Sequence, residues 1–226
     1  ISVKAVGWLP LPIYDAGALP VSAGQLEGKR CYGGLDLSST TDLTAMALLF
    51  PPQPGLEHWY LCFDVWIPEE GLRARAKRDH VDFAGWRAGG FVTATPGDCV
   101  DYDFVEARVL DAAEKYRLEM LGTDPWNSRM LTQRLMGAGI HIYETPQSMS
   151  GMSGAMKQIE RLLRGGRLKH EKNPCARWCF GNVRCAVDGN ENIKPMKNRS
   201  AGRIDAAVAA INAMAAAIVS GEAVDK

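Results

Sequence analysis

Three aspartates stand where carboxylates could do chemistry: Asp36 in "GLDLSSTTDLTAM", Asp124 in "LEMLGTD" and Asp205 in "GRIDAAVAAINAM". Under the alternation of an extended strand, Leu35 and Leu37 point away from the face that carries Asp36. Asp124 closes an apolar run just before Pro125, at the edge where open α/β sheets build their sites. Asp205 lies in the first turn of an Ala-rich helix, beside Ile204 and one turn ahead of Val208 and Ala209. A carboxylate this close to apolar neighbours costs free energy unless it is paired, hydrogen-bonded or bound to a cation. Hard divalent cations such as Mg²⁺ or Mn²⁺ take oxygen ligands, so three converging aspartates could hold a pair of ions. Two ions about 4 Å apart would polarise a phosphodiester, activate the attacking water and stabilise the leaving oxygen. Taken singly, each aspartate has a plainer reading. Asp36 can pair with an arginine in a core, Asp124 can cap a helix starting near Trp126, and Asp205 can complement the dipole of its own helix.

The elements that must position these residues follow from hydrophobic periodicity. Residues 1 to about 30 hold Pro10, Pro12 and Pro20 with Trp8, Leu9, Leu11, Ile13 and Tyr14 between them, and read as an irregular lead-in. Three β-rich runs follow, Cys31–Leu37, Thr44–Phe50 and His58–Ile67, whose short connections predict an antiparallel meander. "PEEGLRARAKRD" predicts a short helix. "FVTATPGDCVDYD" predicts a strand and turn, with Asp101 or Asp103 capping a helix through about Arg117. Strand "LEMLGTD", helix "PWNSRMLTQRLMGAG" and strand "IHIYETP" give the βαβ rhythm of parallel pairing. "MSGAMKQIERLLRGG" places Met156, Ile159, Leu162 and Leu163 on one helix face, and a basic, irregular stretch comes next. The final helix carries an apolar stripe of Ile204, Val208, Ile211 and Ala215. The class is therefore α/β with a mixed sheet.

At 226 residues and 46% hydrophobic content the chain can bury a sizeable core. No apolar run approaches the roughly 20 residues of a membrane span, which predicts a soluble protein. Six cysteines at irregular spacings read as reduced thiols. A zinc site from His170, Cys175, Cys179 and Cys185 is the sharper alternative, although no C-x-x-C knuckle occurs among them. The formal net charge is zero, yet from Lys157 to Arg203 there are 12 Lys/Arg against 4 Asp/Glu, leaving 14 against 22 elsewhere. Such asymmetry points to one face for a polyanion, or else to solvated helix and loop faces.

Four segments, in this order, resemble the nuclease domain of the large terminase subunit of tailed bacteriophages, a member of the ribonuclease H-like superfamily: "GLDLSSTTDLTA", "TDPWNSRMLTQRL", "PQSMSGMSGAMKQIERLLRGGRLKHEKNP" and "GNENIKPMKNRSAGRIDAAVAAINAM". The resemblance runs from about Gly33 to Met214. It implies a central mixed sheet of five or more strands flanked by helices, and a two-metal endonuclease that uses Mg²⁺ or Mn²⁺ to cut concatemeric double-stranded viral DNA. Asp36, Asp124 and Asp205 match the family's metal ligands. Asp42 and Ser38 fall in the polar turn after Asp36 as auxiliary residues, and Asn182 and Lys197 match the rim of the site. DNA contacts are expected from Lys157, Arg161, Arg164, Lys169, Lys197, Arg199 and Arg203.

The same resemblance implies partners: an N-terminal packaging ATPase, a small terminase subunit and the portal, with no membrane, in the cytoplasm of an infected host. No G-x-x-x-x-G-K-[ST] occurs in the chain, so it is read as an excised nuclease domain. Residues 1–30 would be the end of the linker from the ATPase, 31–220 the nuclease and 221–226 a tail. Two other readings stay open, an RNase H-like resolvase and a non-catalytic DNA-binding or motor-docking module.

Overall fold

Alternation along the central strands builds a sheet that is covered on both faces. The computed structural model describes residues 5–38, 43–125 and 129–222. In chain order the elements begin with β1 (Ala5–Gly7), α1 (Leu11–Asp15), α2 (Ala23–Leu26), β2 (Arg30–Asp36), β3 (Thr44–Phe50) and β4 (Trp59–Pro68). Next come α3 (Leu72–Asp79), α4 (Phe83–Ala88), β5 (Thr93–Thr95), α5 (Tyr102–Lys115), β6 (Arg117–Thr123), α6 (Arg129–Gly137) and β7 (Ile142–Glu144). The chain continues through α7 (Met149–Arg164), β8 (Leu168–His170), α8 (Pro174–Asn182), β9 (Arg184–Val187) and β10 (Ile193–Pro195). A 3₁₀ turn (Lys197–Arg199) then leads to α9 (Asp205–Val219).

The main sheet has seven strands in the order β5-β4-β3-β2-β6-β7, with β8 pairing the start of β4 on the same edge whose end pairs β5. Strands β2, β3 and β4 form the expected antiparallel meander, and β6 and β7 run parallel to β2. Within β3, Ala45, Ala47 and Leu49 face α7, α8 and α9, while Met46, Leu48 and Phe50 face α5 and α6. Burial on both faces is why this strand reads as a continuous apolar run.

Three local outcomes differ from the sequence reading. The stretch after Gly166 is ordered as β8, α8, β9 and β10 rather than irregular. Pro174 occupies the first turn of α8, where no donor is needed, and Asn173 Oδ1 accepts from the amides of Cys175 and Ala176 at 3.0 and 3.1 Å. Helix α9 is buried on every side from Asp205 to Ala217 rather than along one stripe, because the sheet, α7 and α8 enclose it. The lead-in is regular rather than irregular, with β1 paired to β9 and α1 and α2 following, while its aromatics pack into the core: Trp8 stacks on Phe180 with centroids 5.5 Å apart and Tyr14 on His170 at 4.0 Å.

What seats α9 on the sheet is the absence of side chains. A Cβ at Gly34 of β2 would fall on the Ala209 carbonyl oxygen and the Ala213 amide nitrogen, and one at Gly122 of β6 on the Asn212 carbonyl. The helix backbone therefore lies directly on the strands. Asn212 fixes its rotation by donating Nδ2–H to the Leu35 carbonyl at 2.7 Å.

Candidate active site

The strand register brings the three aspartates to one end of the sheet. Gly34 and Gly122 are partners in the parallel ladder, and Asp36 and Asp124 each lie two residues farther along their strands. Asp205, the first residue of α9, lies one turn before Ala209, which rests on Gly34; a turn of helix advances about 5.4 Å. Asp36 and Asp205 are buried, at 1% and 5% exposure.

Lys197, on the 3₁₀ turn, holds this group together. Its Nζ donates to Asp36 Oδ1 at 2.8 Å, while its side chain stays 54% exposed. It lines a cleft of about 570 Å³ with Asp124, Gln147, Lys194 and Asn198, and a smaller one of about 210 Å³ with Arg203 and Asp205. Burial works to lower the pKa of the Lys197 ammonium, but the charges of Asp36, Asp205 and Asp124 outweigh it and the net shift is upward. Burial raises Asp36, Lys197 pulls it back, and Asp124 adds to the rise. Burial and then the charge of Asp36 push Asp205 up to about 7, against Lys197 and Arg203. Asp36 thus feels the charge of Asp124, Asp205 feels the charge of Asp36, and Lys197 opposes the rise at both.

Neighbouring contacts hold the loops that carry the site. The Ser38 amide donates to Thr44 Oγ1 at 3.1 Å, and Tyr102 donates its hydroxyl proton to the Ser38 carbonyl at 2.5 Å, so Ser38 is positioned through its backbone. Asn182 donates to the Arg203 carbonyl at 3.0 Å and accepts from the Ala201 amide through its own carbonyl at 3.2 Å. A Cβ at Gly202 would meet Asn182 Nδ2 at 2.7 Å and Trp178 at 3.0 Å, so the segment entering α9 lies tight against α8. Asn182 therefore shapes the approach to Asp205. Tyr102 and Gly202 were missed in the sequence because their partners are backbone atoms or come from distant elements. Asp42 lies outside the described residues.

The expected DNA-contacting cations divide into two groups. Lys197, Arg199 and Arg203 stand at the carboxylate end, with Arg203 Nε 3.5 Å from Asp79. Lys157, Arg161 and Arg164 lie on α7, with Arg164 paired to Glu160 at 2.8 Å, and Lys169 lies on β8. Met152, near the start of α7, lines the Asp124 cleft, and Arg164 is about 18 Å farther along that helix. Strand β8 pairs with Trp59–Leu61, the end of β4 remote from the carboxylates.

Among the described residues no three His, Cys, Asp or Glu side chains are drawn up closely enough to hold a metal ion as they stand. The donor chemistry nevertheless fits hard divalent ions: all three groups are carboxylates, and among the described residues the buried Oδ2 of Asp36 accepts no hydrogen bond. The zinc alternative does not fit. Both ring nitrogens of His170 face backbone carbonyls, of Glu171 at 2.8 Å and Tyr14 at 2.7 Å, and among the described residues His170 does not cluster with the cysteines closely enough to share an ion. No described helix is long and apolar enough to cross a membrane.

A mixed sheet with antiparallel β2-β3-β4, parallel β6 and β7, and a helix laid across it beside carboxylates at the strand ends defines the ribonuclease H-like class. Within that class the chain belongs to the family described as terminase large subunit, endonuclease domain, whose pattern matches residues 9–221. It is 29% identical over 203 residues to the large terminase subunit of Enterobacteria phage HK97, covering 89% of this chain and 39% of that protein. The chain thus spans about two fifths of that relative's length. The crystal structure of the HK97 large terminase superposes with a TM-score of 0.83 at 26% identity, over 94% of this chain and 44% of that one. The large terminase nuclease of thermophilic phage G20c, solved with bound magnesium, shares the fold at a TM-score of 0.54 and 13% identity, over 83% of each chain.

Proposed function

We propose that this nuclease domain is a divalent-metal-dependent endodeoxyribonuclease that cuts concatemeric double-stranded DNA during viral genome packaging, with Asp36, Asp124 and Asp205 holding two Mg²⁺ or Mn²⁺ ions. Lys197 meets Asp36 directly and shares clefts with Asp124 and Asp205, and the buried Asp36 Oδ2 accepts no hydrogen bond among the described residues; this arrangement carries the reading. Bound there, the ions would supply Lewis acidity to the scissile phosphodiester and to its leaving oxygen. The chain's own residues bind and orient: the carboxylates fix the ions, Lys197 offers a half-exposed ammonium to a phosphate oxygen, and Arg203 adds positive charge beside Asp205. In the whole protein the domain would follow a packaging ATPase domain and work with the small subunit and the portal, in the cytoplasm of an infected bacterium. Residues 1–30 would be the end of the inter-domain segment and 221–226 a tail.

Purified domain should convert supercoiled plasmid to fragments with Mg²⁺ or Mn²⁺ and leave it intact in EDTA. The Lys197–Asp36 ion pair favours a second reading, a DNA-binding module whose carboxylates are structural. That module would retard plasmid on a gel without cutting it in any divalent ion, the result that would overturn the nuclease.

Removing Lys197 tests the charge balance directly. Lys197→Ala should lower the melting temperature of the EDTA-treated domain by a few degrees, consistent with about 1–2 kcal/mol for a pair with one exposed partner. Added Mn²⁺ should restore it, because the ion offsets the carboxylate charge that the ammonium neutralised. A loss that Mn²⁺ leaves unchanged would show that Lys197 only packs.

A further inference from the structure

The two helices inserted between β4 and β5 carry a basic surface that the expected DNA contacts do not include. From Leu72 to Ala88 there are five Lys/Arg, Arg73, Arg75, Lys77, Arg78 and Arg87, against Asp79 and Asp82. Both acids are engaged within the protein: Asp82 caps α4 by accepting from the Gly85 amide at 2.8 Å, and Asp79 pairs with Arg78 and Arg203. Arg75 is buried and donates to the carbonyls of Pro68, Glu70 and Asp98, which ties the helix to the end of β4. Arg73 and Lys77, one turn apart on α3, are exposed and make no ion pair among the described residues. Arg73 also lines a cleft of about 350 Å³ with Arg87, Glu69 and Leu72.

Position gives this surface its meaning. Strand β4 ends at the carboxylate end of the sheet, where Trp66 pairs with Thr44 and the next residue, Ala45, pairs with Asp36. Two strand spacings, roughly 10 Å, separate β4 from β2. The Arg203–Asp79 contact joins the far end of α3 to the segment entering α9. We propose that α3 is a DNA-holding arm in which Arg73 and Lys77 pair with backbone phosphates of the duplex to one side of the scissile bond. The inference rests on the nuclease reading for its substrate, and it moves the DNA track away from the α7 cations toward α3. Phosphate contacts of this kind position the duplex without reading its sequence.

The test is fluorescence anisotropy of a labelled random-sequence 30-base-pair duplex, titrated in EDTA at several salt concentrations with the domain as it stands here. Arg73→Ala/Lys77→Ala should make the log–log salt slope shallower by about 2, because each phosphate contact contributes roughly 0.9. Arg73→Lys/Lys77→Arg should keep the wild-type slope, and so should Lys115→Ala/Arg117→Ala, at the end of β6 remote from the carboxylates. Circular dichroism of each variant checks the fold. A slope unchanged by the first pair, or lost equally in the charge-preserving pair, would overturn the arm. Plasmid cleavage by the wild type is scored separately: a domain that binds with the expected slopes but never cuts would reject the nuclease and retain the arm, whereas one that binds no duplex at low salt would reject both.

Discussion

Asp205→Asn should yield a folded protein that melts higher than the wild type at pH 8 and cuts plasmid at least roughly a hundredfold more slowly, the scale of losing a group that organises transition-state charge. Asn keeps the shape of the side chain and removes the charge that would hold an ion. The stability half follows from linkage. Burial and the nearby charge of Asp36 raise the Asp205 carboxyl from an unfolded value of 3.8 to about 7, so the folded protein binds a proton that the unfolded chain has released. That contribution is fully present below about pH 4 and is lost as pH rises through about 7. Asn has no proton to lose, so its advantage in EDTA should grow from pH 4 to pH 8. Divalent ions should then raise the melting temperature of the wild type and leave the variant nearly unchanged. The measurements are thermal melts across that pH range and a plasmid assay, and a folded variant that still cuts would remove Asp205 from the chemistry.

The positions of the three aspartates were legible in the sequence for one physical reason: a carboxylate next to leucine, proline-bounded strand or alanine-rich helix stands out against the cost of burying it. The meander and the parallel β6–β7 pair were legible from run lengths and turn residues. Contacts between spatial neighbours were not legible from local pattern, and Lys197 and Asn182 entered only through the family resemblance. Lys197 lies 161 residues from Asp36, and nothing in its local sequence marks the contact. Tyr102, Asn182 and Asn212 act on backbone carbonyls, which carry no sequence signature. Charge counting along the chain offered the basic residues from Lys157 to Arg203 as one polyanion face or as solvated surface; in the fold α7 leads Arg164 away from the carboxylates, while α3 comes up beside Arg203. Periodicity also marks an apolar stripe on α9 without saying that the helix is buried on every side or how closely it approaches the sheet.

That closeness can be measured. Gly34→Ala adds a single methyl group where β2 meets the backbone of α9, and the atoms it would strike are the Ala209 carbonyl oxygen and the Ala213 nitrogen, which cannot swing aside as a side chain can. Either the strand or the whole helix must shift. Overpacking usually costs 1–3 kcal/mol and sometimes more; against two backbone atoms we expect the upper end, about 3 kcal/mol, or a melting temperature lower by roughly 6–12 °C for a domain of this size. Gly154→Ala supplies the contrast. That glycine sits inside α7 with open space around the added atom, so the same substitution should raise stability by about 0.5–1 kcal/mol through helix propensity. Because α9 carries Asp205 at its first turn, displacing it should also cost activity beyond the loss of folded protein, visible as slower cleavage at temperatures where circular dichroism still shows a native fold. If Gly34→Ala melts with the wild type and cuts as fast, α9 does not rest on β2 by its backbone, and the seating of Asp205 beside Asp36 loses its structural basis.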